Sequence, residues 1–301
     1  MYKRLIPGFI LLLALGACNN SAPSSNTQVM PISSSFDWQG HRGARGLLPE
    51  NSIPAFLKAL EYSAVATLEL DLVVSADREL IVSHEPWFSS EICSHPNGKP
   101  VDKTEEKQLN IFRMTAAEIR AYDCGKRGHA RFPEQQAMPA YKPTLAEIVK
   151  AVDSAALAMK RPLPRFNVEI KSKQEWDGVY TPPPSEFARL VVSQLGQLGL
   201  DDRACVQSFD ERPLREVHRM APYLTIAHLV ENYDGVKSNI EKLGFTPQIY
   251  SPHYGLITAE TVKTVHELGM RIIPWTVNTT PEMEELMKWG VDGIITDYPD
   301  R

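Results

Sequence analysis

The 301-residue chain is poor in cysteine, carries no excess of basic residues and has no long apolar run. Lys and Arg number 32 against 37 Asp and Glu, for a formal net charge of −5. That balance excludes a nucleic-acid-binding surface, which needs clustered cations on a basic domain. The charge-free apolar stretch Ile6 to Leu15 is too short to cross a bilayer, which takes about 20 residues. No cysteine or pair of histidines stands in a zinc-ligand spacing, so a thiolate or imidazole metal site is not indicated. What is present is ordinary globular composition, 43% hydrophobic and 23% charged, long enough for one large core.

The apolar stretch follows Lys3 and Arg4 and ends in Leu15-Gly16-Ala17-Cys18, the plan of an export signal. Small residues running into a cysteine resemble the lipobox of bacterial lipoproteins. The resemblance implies a signal peptide over 1–17, lipidation of Cys18, and anchoring at a bacterial membrane, facing the periplasm. A plain signal peptide cleaved near Ala17 and an uncleaved anchor are the alternatives. Residues 18–35 have almost no apolar content and read as a flexible tether. Export would permit disulfides. Cys93 and Cys124 bracket one irregular stretch and are the natural pair; Cys205, in an apolar run, reads as a buried free thiol.

From residue 36 to 301, short apolar runs alternate with helical patterns. Strands are expected at 36–43, 67–74, 80–83, 166–170, 204–208, 224–229, 248–251, 271–277 and 293–296. Helices are expected at 51–63, 144–159, 184–198, 210–220, 236–243, 258–268 and 281–289. Such alternation implies a parallel sheet, and this many repeats a closed (β/α)₈ TIM barrel. Nine strand candidates compete for eight barrel positions, so one must lie outside the barrel or be no strand at all, and the sequence does not say which. Residues 87–140 lack periodicity and read as an insertion over the catalytic, C-terminal face.

Reactive groups of such barrels gather at strand C-termini. Glu69 and Asp71 are two apart on one strand and point to one face, and Glu169 has the same direction available from a later strand. Three converging carboxylates need a counter-charge, and oxygen-only ligation favours Ca²⁺ or Mg²⁺. Arg42 and Lys171 add cations suited to a phosphate. His41 and His84 supply one group to take a proton and one to give it. Together these residues point to metal-assisted cleavage of a phosphodiester.

The runs His41-Arg42-Gly43-Ala44-Arg45-Gly46, Pro49-Glu50-Asn51-Ser52, Glu69-Leu70-Asp71 and Ser83-His84-Glu85-Pro86 resemble the signature of the glycerophosphodiester phosphodiesterase family. Asn167 to Lys171, Gln207 to Asp210, Trp275 to Asn278 and Gly293 to Pro299 continue the resemblance in order. It implies a TIM barrel that hydrolyses glycerophosphodiesters to an alcohol and glycerol 3-phosphate. By the same resemblance His41 and His84 are the acid/base pair, and Glu69, Asp71 and Glu169 the metal ligands. Arg42 and Lys171 would hold phosphate, Glu50 would join the polar shell, and the glycerol 2-hydroxyl would attack phosphorus to give a cyclic phosphate. The family usually carries His-Asp-Pro where this chain has His84-Glu85-Pro86, and Glu85 is expected to orient the loop rather than the histidine.

Trp275, at a strand end, is a candidate wall for the glycerol moiety. Surface or capping roles are expected for His95, His129, His218 and His266, whereas His253 could reach the mouth. Two other functions fit the same residues. A phospholipase-like relative would act on lysolipids or phosphoinositides, drawing on Phe88, Ile92, Ile111, Phe112, Met114 and Phe132 of the insertion. A binding lipoprotein would keep the fold without turnover. No protein partner is inferable.

Overall fold

The computed structural model describes residues 36–301, along with Met1 and Tyr2. The expected signal peptide, Cys18 and the tether lie outside the described residues. None of the described helices is long and apolar enough to cross a membrane.

Among the described residues the first elements are β1 (Asp37–Gly40), α1 (Ile53–Leu60), β2 (Val65–Val74) and β3 (Leu80–Val82). The insertion follows, carrying two 3₁₀ turns (Glu106–Gln108 and Ile111–Arg113) and the short helix α2 (Ala116–Ile119), and then α3 (Leu145–Ala158) leads to β4 (Arg165–Ile170). Regular alternation completes the chain: α4 (Pro184–Gln197), β5 (Ala204–Ser208), α5 (Glu211–Met220), β6 (Thr225–Val230), α6 (Val236–Leu243) and β7 (Ile249–Pro252). The last elements are α7 (Ala259–Glu267), β8 (Arg271–Ile272), α8 (Thr280–Trp289) and β9 (Gly293–Thr296).

Eight strands pair in parallel in the order β8-β7-β6-β5-β4-β2-β1-β9. The ninth, β3, is antiparallel to β2 and lies off this path, which settles the surplus of strand candidates. Across the seam, Asp292 N donates to Ile272 O at 3.0 Å and Ile295 N to Pro274 O at 2.9 Å, so the barrel is nearly closed. The strand expected over 271–277 shrinks to Arg271–Ile272 because Pro274 has no N–H to donate to a ladder. The strand expected over 36–43 stops at Gly40, where the backbone turns through positive φ at Arg42 and Gly43.

Several helices start where the side chains dictate. Thr144 with Glu147, Thr258 with Thr261 and Thr279 with Glu282 form reciprocal caps that satisfy otherwise unpaired N–H groups. Their apolar faces, such as Ile148 and Val152 of α3 or Leu214 and Val217 of α5, pack on the barrel wall.

The insertion has a small core of its own. Phe88, Ile92, Cys93, Val101, Ile111, Ile119 and Cys124 cluster against Val73 of β2 and Ile81 of β3, and Cys93 and Cys124 are disulfide-bonded. Thus β3 is the bracket on which the insertion is built.

His228, on β6, escaped the sequence reading. It is buried, its Nδ1 lacks a hydrogen-bond partner among the described residues, and burial pushes its pKa down to about 4. The unfolded chain, with an ordinary histidine near 6.5, binds the proton first as pH falls. Stability from this residue is therefore complete above about 6.5 and is lost as pH drops toward about 4, by on the order of 3 kcal/mol. Denaturant titrations of His228→Gln at both ends of that range are expected to show a visibly flatter pH dependence than the parent. An unchanged slope would mean that other groups govern it.

Candidate active site

The carboxylates meet because of strand register. Asp71 on β2 lies opposite Glu169 on β4, and Glu169 lies opposite Gln207 on β5. Glu69, two residues before Asp71, faces the same way. One oxygen from each of Glu69, Asp71 and Glu169 lies within 4.8 Å of the others, and all three residues are buried.

Each carboxylate is held differently. Glu69 Oε2 accepts from the Arg42 backbone N–H at 2.9 Å, and Oε1 accepts from Gln207 Nε2 at 2.9 Å. Asp71 Oδ2 accepts from Asn51 Nδ2 at 2.8 Å and lies 3.1 Å from Arg42 Nε. Asp71 Oδ1 is buried with no hydrogen-bond partner among the described residues. Glu169 Oε1 lies 2.7 Å from Lys171 Nζ. Arg42 and Asn51 both adopt positive φ, an unfavourable conformation for residues with a Cβ, held here by these contacts. Gly43 makes the turn possible, since a Cβ there would sit 2.6 Å from the Ala55 carbonyl carbon.

The electrostatics are those of a site short of positive charge. Burial, with Asp71 and Glu169 beside it, pushes Glu69 well above the usual carboxylate range. Burial also raises Glu169 despite Lys171. Burial would raise Asp71 too, but Arg42, His84 and Lys171 together hold it well below the usual range. An all-oxygen cluster with an unsatisfied buried oxygen fits a hard divalent cation, and these three residues could hold one.

The histidines flank this cluster. His41 Nδ1 lies 2.6 Å from Asp297 Oδ1, and its Nε2 lies 3.9 Å from Glu69 Oε2. Asp297 is fixed in turn by Asn278 Nδ2 at 2.8 Å. His84 Nδ1 lies 2.6 Å from Glu85 Oε1. Glu85 therefore touches the histidine itself, which corrects the expectation that it serves only the loop. Burial, with Arg42 and Lys171 nearby, lowers His84 to about 4; burial also lowers His41.

His41, Arg42, Glu50, Glu69, His84, Glu169 and Trp275 all border one cavity of about 340 Å³. Lys171 lines an adjoining cavity of about 480 Å³, which shares His84, Glu85 and Glu169 with the first. Glu50 is clamped between Arg42, at 2.8 Å, and Arg45, at 2.6 Å. The Trp275 indole donates to Ser251 O at 2.9 Å, and its ring meets Phe209 edge-on.

His253 is not among the cavity walls; its Nδ1 accepts from Gly255 N and caps a short turn. His129, expected to have a surface or capping role, accepts from Arg131 N through Nδ1 but is buried, not at the surface, and lines the cavity with Ser89, Glu91, Ile92 and Arg131 of the insertion. Of the six apolar insertion residues that favoured a lysolipid substrate, only Ile92 borders the cavity, whereas Phe88 and Ile111 are spent in the insertion core. Sequence reasoning also missed Asn51, Arg45, Gln207 and Asp297. All four stand inside the quoted motifs, and the strand-end acid Asp297 offered the clearest signal.

The glycerophosphoryl diester phosphodiesterase family matches residues 41–301. A glycerophosphodiester phosphodiesterase of Caldanaerobacter subterraneus is 29% identical, covering 86% of this chain and 93% of its own. One from Bacillus subtilis is 27% identical, covering 86% and 83%. A crystal structure described as a glycerophosphoryl diester phosphodiesterase from Silicibacter pomeroyi superposes with a TM-score of 0.77 at 29% identity, covering 89% and 92%. A phosphodiesterase from Oleispira antarctica has the same fold, with a TM-score of 0.68 at 19% identity over 87% and 93% of the two chains. With its barrel, its strand-end carboxylates and its paired histidines, the chain belongs to the glycerophosphoryl diester phosphodiesterase family.

Proposed function

We propose that this enzyme hydrolyses glycerophosphodiesters to an alcohol and glycerol 3-phosphate, using His41 and His84 for proton transfer beside a divalent cation. The observation that carries the reading is the pair of histidines flanking one buried carboxylate cluster, each with Nδ1 on a carboxylate and Nε2 left for substrate. The Oleispira antarctica relative was solved with the product sn-glycerol-3-phosphate, which agrees with this substrate class.

Ca²⁺ or Mg²⁺ on Glu69, Asp71 and Glu169 would offset charge on the phosphoryl oxygens. Arg42 and Lys171 add fixed positive charge and orient the phosphate. His41 borders the first cavity, and His84 borders both. This suits His41 to the glycerol arm and His84 to the departing alcohol. His41 Nε2 takes the proton of the glycerol 2-hydroxyl as its oxygen bonds to phosphorus. The bond to the alcohol oxygen breaks, and His84 protonates that oxygen. Water then opens the cyclic phosphate with the proton roles reversed, leaving glycerol 3-phosphate. We place the enzyme outside the cytoplasm, held to a membrane through Cys18, on the strength of the N-terminal sequence alone.

Product analysis on glycerophosphocholine and on a lysolipid, each with and without chelator, tests the reading. Choline and glycerol 3-phosphate should form from the first, only without chelator. Faster turnover of the lysolipid would favour the phospholipase-like alternative, and binding without products the non-catalytic one.

A further inference from the structure

The interior of such a barrel is ordinarily filled with branched apolar side chains. Here a file of buried polar side chains runs the other way, from the N-terminal face up to the carboxylate cluster. Asp37 Oδ1 accepts from Arg165 at 2.8 Å and from Thr67 Oγ1 at 2.7 Å. Asp37 Oδ2 accepts from Gln39 Nε2 at 3.0 Å. Asn167 Nδ2 donates to Gln39 Oε1 at 2.8 Å and to Gln207 Oε1 at 2.9 Å. Gln207 Nε2 reaches Glu69 Oε1 at 2.9 Å.

The direction of each amide in this file follows from chemistry. Both Asp37 oxygens accept, so Asp37 draws the NH₂ of Gln39 toward itself and turns the Gln39 oxygen to Asn167. That oxygen needs a donor, which fixes the Asn167 amide. The second Asn167 hydrogen then faces Gln207, so the Gln207 oxygen points down and its NH₂ points at Glu69. The arrangement leaves Asn167 Oδ1 buried without a partner among the described residues. A buried polar atom left unsatisfied is destabilising, so an apolar filling would be the more stable choice.

We propose that Gln207 is a positioning residue, oriented from the far face of the barrel through Asn167, Gln39 and Asp37, that fixes the Glu69 carboxylate for cation binding. With Oε1 held by Gln207 and Oε2 by the Arg42 N–H, Glu69 cannot rotate about its last bond. Partners of this kind set the orientation of a ligand and typically change metal affinity 10–100-fold. The inference rests on the reading of Glu69, Asp71 and Glu169 as a cation site.

Calorimetric titration of the full protein with Mg²⁺ and with Ca²⁺, without substrate, tests it, with thermal melts of each cation-free variant alongside. Gln207→Met keeps the volume and deletes the amide; its dissociation constant should rise about 10–100-fold. Gln39→Met removes no hydrogen bond made to Glu69 or Gln207, yet it should raise the constant by at least about threefold through the lost orientation. If the parent binds either cation and both folded variants bind it with the parent's constant, the positioning role is wrong while the cation site stands. If the parent binds neither cation, both fall. Should Gln207→Met fail to fold, Gln39→Met alone decides.

Discussion

EDTA is expected to abolish turnover, and added Ca²⁺ or Mg²⁺ to restore it. Glu69, Asp71 and Glu169 bring three buried carboxylates together, while the nearby cations Arg42 and Lys171 are both engaged in pairing them. A substrate phosphodiester adds another negative charge to the same place. Burial raises both Glu69 and Glu169 above the usual carboxylate range, so a cation bound there is expected to displace protons from the cluster. Affinity should therefore tighten as pH rises, and calorimetry in buffers of different ionisation enthalpy should reveal the released protons. Glu169→Gln removes one ligand charge and leaves Lys171 facing a neutral amide. A loss of several kcal/mol of transition-state stabilisation corresponds to a fall in kcat on the order of 10³-fold. Full activity in chelator would remove the cation from the mechanism.

The parts of this enzyme readable in the sequence are those that depend on periodicity or on position along one strand. Glu69 and Asp71 share a face because a strand repeats every two residues, and that needs no tertiary information. The same logic located eight barrel strands. It could not say that β3 is the outsider, because an antiparallel excursion and a barrel strand show the same apolar run. Long-range partners were also hidden. Asp297 lies 256 residues from His41, and only closure of the barrel brings them to 2.6 Å. His129 was hidden because the insertion folds on its own disulfide-linked core, so no helical or strand period reports which way its side chains face. Its apolar residues misled for the same reason: Phe88 and Ile111 serve that core, not the mouth.

His41→Ala and His84→Ala are each expected to lower kcat by roughly 10²–10⁴-fold, the usual range for a lost acid or base. The two should differ in pH dependence. Burial, with Arg42 and Lys171, holds His84 to about 4 in the free enzyme, so it is neutral at pH 7. For His84 to serve as the proposed acid it must carry a proton when substrate is bound, so the bound phosphodiester is expected to raise it. Its negative charge beside the imidazole does so by favouring the charged form. Glu85, 2.6 Å from Nδ1, supports the same shift. The kcat profile should therefore lose its alkaline limb in His84→Ala and its acidic limb in His41→Ala, since the base must be neutral to act. Asp297→Asn separates orientation from proton transfer. It keeps the volume but removes the charge that holds the His41 ring with Nε2 toward Glu69. Asparagine can also present its oxygen to Nδ1, so kcat should fall less than in His41→Ala. Its acidic limb should move to lower pH, because a lost anion makes the imidazolium less favourable. Loss of that limb in both His41→Ala and His84→Ala would show that the two histidines share one role. The acid would then have to be sought among the other cavity walls, beginning with His129.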